Sequence, residues 1–452
     1  MKRSPLLALA ATFTVNLAAG ATPPGVLDLT RLENYARQPV PAYVTRDNTP
    51  PDNPITDAGA TLGRVLFHDK RLSRTDTISC ASCHDQAHAF SDPDLASTGV
   101  AGTTGRHSMR LINARFAREP RFFWDERSPS LEHQSTQPIR DHVEMGFSGT
   151  AGDPTFAALT AKLAAIPEYR VLFAMTYGDT TVTEARVQKS LAQFVRSIQS
   201  FDSKYDAGRT TTPDDQDFPN FTDQENQGKR QFMLSVAQGG AGCASCHAPP
   251  TFDIDPASLN NGVIGKIGGG QDLTNTRSPS LRDLMGPAGP NGPFMHDGSM
   301  MGLGQITNHY RSAIPDNPNL DPRLRRPALP FTNAQLAPLR AFLHTLTGSA
   351  VYQDPKWASP FTAGGALELL VLPASALRLE SGTAGSPGTL TLRGQAAPNL
   401  DYRIEASISL GLADAWKTIA TRRSDAAGRI EHPVAMTSER MFYRLVFDVP
   451  AP

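Results

Sequence analysis

The 452-residue sequence predicts a mainly α-helical chain, two helical domains in tandem followed by a small C-terminal β-sandwich. Three observations carry that prediction. The pentapeptide Cys-Ala-Ser-Cys-His occurs twice, at 80–84 and 243–247. Apolar residues recur at helical spacing beyond each copy. The last part of the chain then changes to short β-rich runs separated by Gly, Pro, Asn and Asp.

The first element is a leader. Met1-Lys2-Arg3 is basic, the next residues are mostly apolar, and Ala18-Ala19-Gly20-Ala21 supplies small residues for cleavage. This pattern predicts a signal peptide at 1–21. Thr12, Thr14 and Asn16 break the apolar stretch, which is short for a membrane span. An exported, periplasmic protein with no membrane span after signal removal is expected. Charged residues make up 19% of the chain and the formal net charge is −1, so composition gives no basis for nucleic-acid binding.

The four cysteines all lie in the two pentapeptides: Cys80, Cys83, Cys243 and Cys246. C-x-x-C-H is the attachment signature of c-type haem. Two thiols form thioethers with the porphyrin, and the following His, here His84 or His247, supplies the proximal ligand to the iron. A redox C-x-x-C or a four-Cys zinc site uses the same residue types. Neither explains a His after both copies. Two covalently bound haem c groups are therefore expected, in cytochrome c-like domains at 22–225 and 226–362. Val187, Leu191, Phe194, Ile198 and Phe201 predict a helix over 184–205. Leu336, Leu339, Phe342, Leu343 and Leu346 predict another after a Thr332 cap, ending at Gly348.

From Leu62 to Gly348 the chain resembles the bacterial diheme cytochrome c peroxidase/MauG family. The resemblance rests on ordered blocks: Leu62-Gly63-Arg64-Val65-Leu66-Phe67, then Phe123-Trp124-Asp125-Glu126-Arg127. Ser130-Leu131-Glu132-His133-Gln134, Pro138-Ile139 and Glu144-Met145-Gly146 follow. Ser278-Pro279-Ser280-Leu281-Arg282 and Pro293-Phe294-Met295-His296-Asp297-Gly298 come after the second pentapeptide. The resemblance implies a peroxidatic haem held by His84 and an electron-transfer haem held by His247, with Trp124 between them. Gln134 and Glu144 match the family's distal pair, one to orient peroxide and one to move its proton. Pro138 lies between them.

Two departures from the peroxidase pattern narrow the activity. The segment 97–105, where family peroxidases carry a capping His, has none. His107, in the segment that follows, is the other candidate cap. The family's axial Met, fourteen residues after His296, is replaced by Tyr310, as in MauG-type members. A phenolate favours ferric and higher iron states where a thioether favours ferrous iron. His309, Met300 and Met301 are alternative donors. The family also binds calcium between its haems. Its carbonyl ligands correspond to Asn291 and Pro293, but its Asn ligand falls on His107, and imidazole suits this oxygen-seeking ion poorly. Gly239-Gly240-Ala241-Gly242 lacks the Trp through which MauG-type enzymes pass holes to a protein.

The runs at 366–372, 389–393, 402–408, 416–420 and 441–447 predict a β-sandwich over 363–452, an accessory domain with His432 as its one His. The favoured activity is a MauG-like oxidoreductase that uses hydrogen peroxide to oxidise a partner protein or organic substrate. The alternatives are a hydrogen-peroxide-reducing cytochrome c peroxidase, fed by a small cytochrome or copper protein, and a non-catalytic electron carrier. Gln134 and Glu144 argue against the last, which has no need of a distal acid–base pair.

Overall fold

The computed structural model describes residues 23–312, 314–373, 376–381, 389–435 and 441–451. The leader expected at 1–21 and the turn cluster at 382–388 lie outside these residues. No helix among them is long and apolar enough to cross a membrane.

The helical part is built twice from the same pieces. Helix Asp57–His68 begins where the Thr56 side chain accepts the Gly59 N–H, and it crosses helix Glu184–Ser197, capped by Thr183. Helix Asp223–Met233 starts at a Thr222 capping box and crosses helix Asn333–His344, which starts at a Thr332 capping box. A glycine sits at each crossing. A Cβ on Gly63 would run into the Ser190 carbonyl, and one on Gly228 into the Pro338 carbonyl, so each close approach requires glycine. The ends of the second helices are tied alike. Asn113 donates its N–H to the Ile198 carbonyl (2.9 Å), and its Oδ1 accepts Ser200 N–H (3.0 Å). Asp283 does the same with Leu346 (3.2 Å) and Gly348 (2.8 Å). Both residues adopt left-handed backbone, φ 57° and 54°. Isolated antiparallel bridges, Phe122 with Ser128 and Phe294 with Met300, then close matching loops that precede helices Leu131–Ser135 and Leu303–Arg311.

Two apolar cores result. Tyr205, Phe218 and Phe221 precede the boundary expected at 225 yet pack with Phe232 and Phe342 in the second core. The helix expected over 184–205 ends at Ser197, because Ile198 turns to extended backbone where Asn113 takes its carbonyl. Residues beyond Gly348 return to the first half. Trp357 is buried and its indole N–H donates to Ser197 Oγ (3.3 Å); Ala358 O accepts Arg64 Nε–H (2.7 Å).

The C-terminal part holds two three-stranded antiparallel sheets. Asp401–Ser407 lies between Lys417–Arg423 and Phe442–Val446, and Thr389–Gln395 lies between Arg429–Ala435 and Leu377–Ser381. Tyr402, Ile404, Leu392 and Ile430 join the first core, so these sheets pack on the first helical half. The run at 366–372 forms only Glu368–Leu370, outside both sheets, paired in parallel with Val26–Asp28.

Candidate functional site

Each pentapeptide forms one 3-10 turn, Cys80–Ser82 and Cys243–Ser245, closed by the His N–H donating to the first Cys carbonyl: 3.0 Å for His84 and 2.8 Å for His247. That turn places two thiols and one imidazole on the same wall. A cavity of about 540 Å³ opens beside His84, and a smaller one of about 70 Å³ adjoins it with Cys80 and Cys83 in its wall. A cavity of about 560 Å³ is lined by Cys243, Cys246 and His247, with Leu336, Leu339 and Leu343 of the predicted stripe. Leu191 and Val195 line the first site in the same way. Volume and apolar walls suit a porphyrin-sized group.

The imidazoles are prepared as neutral ligands. His84 Nδ1–H donates to the Phe90 carbonyl (3.0 Å), which leaves the Nε2 lone pair for a metal. Burial lowers its pKa. Burial pushes His247 down to about 4, partly offset by the Phe252 carbonyl. Phe90 and Phe252 take positive φ, 60° and 54°, in loops that fold back toward each imidazole. The residue set fits thioether attachment at both sites.

On the open side of the first site stand Gln134, Pro138 and Glu144, all three lining both of its cavities. Asp141 builds the turn that carries Glu144: its Oδ1 accepts Val143 N–H (2.8 Å) and Glu144 N–H (3.0 Å). Burial, then repulsion from Asp141, pushes the Glu144 carboxyl up to about 7. The segment at 97–105 forms a small hairpin, Thr98–Gly99 with Gly102–Thr103. Its Val100 and Ala101 N–H groups donate to the Glu144 (3.0 Å) and Val143 (3.1 Å) carbonyls. The hairpin thus holds the Glu144 turn with backbone. His107 turns its ring toward Ser91 Oγ (3.3 Å) and the Asp94 carbonyl (3.1 Å).

Tyr310 lines the second cavity with Cys243, Cys246 and His247, and its hydroxyl accepts from Asn261 Nδ2 (3.3 Å). His309, Met300 and Met301 are not in that wall. His309 Nε2 faces the Asn261 carbonyl (2.9 Å), and Met301 is exposed. Met295 is in the wall, on a left-handed turn. Sequence reasoning passed over it, and also over Asn261, whose Nδ2 reaches Met295 Sδ at 3.5 Å. The internal repeat aligns Trp124 with His296. Fourteen residues on, it aligns Pro138 with Tyr310.

Trp124 lines both large cavities. Its Nε1–H donates to the His107 carbonyl (2.8 Å), and its ring meets His296 edge-on at 6.2 Å. The Asn291 amide donates to the Asp283 carbonyl (2.9 Å) and to Tyr352 Oη (2.8 Å). Pro293 follows a cis peptide and lines the second cavity. No group of three or more His, Cys, Asp or Glu able to hold a metal occurs among the described residues.

Residues 57–212 match the family model described as di-haem cytochrome c peroxidase. The chain is 31% identical over 311 residues to the methylamine utilization protein MauG of Methylophilus methylotrophus, covering 67% of this chain and 86% of that protein. It is 26% identical to the cytochrome c551 peroxidase of Nitrosomonas europaea, covering 64% and 80%. Among solved structures, a MauG-like protein associated with microbial copper homeostasis aligns with a TM-score of 0.58 and 27% identity, over 71% of this chain and 98% of that one. The fold and these likenesses define a peroxidase-type haem oxidoreductase. The chain belongs to the diheme cytochrome c peroxidase/MauG family, whose members carry two haem groups.

Proposed function

We propose that the chain is an exported c-type cytochrome with two thioether-linked haems in tandem cytochrome c-like domains. In this reading it reacts with hydrogen peroxide at the first haem and oxidises a partner protein or organic substrate at a distance. The observation that carries it is the pairing of Pro138 with Tyr310 across the internal repeat. The proline side chain has no donor atom to offer a metal. The first site therefore stays open on the face where the second has a phenol.

When bound, the haems supply the iron at which peroxide is reduced and the redox centres that accept the substrate's electrons. The chain supplies the rest. The Gln134 amide orients peroxide, and Glu144 takes the proton from the nearer oxygen and delivers it to the departing one, so that water leaves. A carboxyl held near 7 is poised for both halves of that transfer. The hairpin at 97–105 holds the Glu144 turn without placing an imidazole over the iron. Trp124, in the walls of both cavities, divides the path into shorter electron steps. Tyr310 would hold the second haem together with His247, its phenol oxygen serving as a donor to the iron.

Stopped-flow mixing of the fully oxidised protein with peroxide tests this. Reaction without prior reduction is expected, followed by slow decay unless an oxidisable partner is present. A protein that reacts only after one-electron reduction, and then turns over rapidly with a reduced small cytochrome, is an ordinary peroxidase instead.

A further inference from the structure

Arg110 is a buried cation that the proposed reaction does not use. It is 6% exposed, and it lines both large cavities at the junction of the two helical halves. Two other buried arginines are met by carboxylates: Arg282 by both oxygens of Asp206 (2.8 Å each), Arg196 by Glu132. Arg110 makes no ion pair with any described carboxylate. Its one hydrogen bond is a long one, from an Nη to the Ser280 carbonyl (3.3 Å), and its Nε–H is buried without an acceptor. Its guanidinium lies 5.6 Å from the centre of the Phe294 ring, and Asp283 and Tyr352 act on it only through space. An unpaired buried charge costs several kcal/mol, so a fold that keeps one is prepared for an anion.

The internal repeat sharpens the point. Asn113 and Asp283 correspond, so three residues earlier Arg110 corresponds to Ser280. The cation is thus present in one half only. Arg277 is a second arginine in both cavity walls with an unpaired Nε, but its Nη1 donates to the carbonyls of Glu119 and Arg121. Two guanidinium groups at this junction repel a divalent cation, and the His107 imidazole is a poor ligand for calcium.

Building on the diheme reading, we infer that Arg110 is the chain's resident inter-haem cation, binding haem carboxylates from both cavities in place of a metal ion. A fixed positive charge between the haems favours the electron-rich form of each, and so raises both midpoint potentials.

The test compares wild type with R110Q and R110K, each first assayed for two c-type haems per chain. Each is then titrated spectroelectrochemically with EGTA or with added calcium. R110Q is expected to lower the midpoint potentials of both haems, and R110K to restore them toward wild type. Wild-type potentials should be the same in EGTA and in calcium. Unchanged potentials in R110Q, or wild-type potentials that follow calcium, would overturn the inference. The calcium comparison needs only the wild-type chain, so it decides even if R110Q does not mature. A wild-type chain with fewer than two haems refutes the diheme reading itself, and the inference with it.

Discussion

Replacing Glu144 by Gln keeps the shape of the side chain and removes its capacity to exchange a proton. In the native chain the carboxylate is the form that accepts the peroxide proton. With burial holding the group at about 7, the neutral form persists into the working range and activity is lost as pH falls through that value. Ionisation passes from roughly one-tenth at pH 6 to roughly nine-tenths at pH 8 for such a group. The second-order rate of the oxidised protein with peroxide should therefore rise about tenfold across that interval and then level. E144Q should lose about 10²–10⁴-fold in the same rate, the usual contribution of a general acid–base group, and its residual rate should be flat with pH. Stopped-flow absorbance in the Soret band measures both. An E144Q rate within about threefold of wild type, or one with the same pH profile, would remove Glu144 from this role.

Three further outcomes follow from the packing. Asp206→Ala strips the bidentate partner from Arg282, which has no exposed side-chain surface, and should destabilise the protein by about 3–5 kcal/mol in denaturant titration. Gly228→Ala forces a methyl into the Pro338 carbonyl at the second helix crossing and should cost about 1–3 kcal/mol in thermal melts. Tyr310→Phe should leave haem content unchanged while altering the low-spin signal of the second haem; an identical spectrum would assign the axial position to another donor, with Met295 the next in the wall.

The parts legible in the sequence were those encoded by short-range chemistry. The pentapeptides announced the two cavities, and Thr332 with its apolar stripe announced helix Asn333–His344. Gln134, Pro138 and Glu144 were matched by resemblance, and the fold brings them to one cavity. What escaped depends on long-range contacts. The run at 366–372 is apolar and β-rich like a buried strand, yet its partner is Val26–Asp28, far away in the chain. Strand Arg429–Ala435 was hidden by Pro433 and its charged residues. Helix 184–205 was drawn too long because the stop at Ile198 is made by Asn113, not by a local breaker. The internal repeat is carried by backbone angles and carbonyl partners, and few side chains are shared between its halves. Nothing local in the sequence reveals that Arg110 is buried with an unpaired Nε.

In the proposed reading two haems are attached and one iron keeps a free coordination position on the side of Glu144. Electron paramagnetic resonance of the oxidised, fully matured protein tests it most directly. One high-spin and one low-spin ferric signal of equal weight per chain are expected. Two low-spin signals, neither perturbed by added cyanide or peroxide, would contradict it.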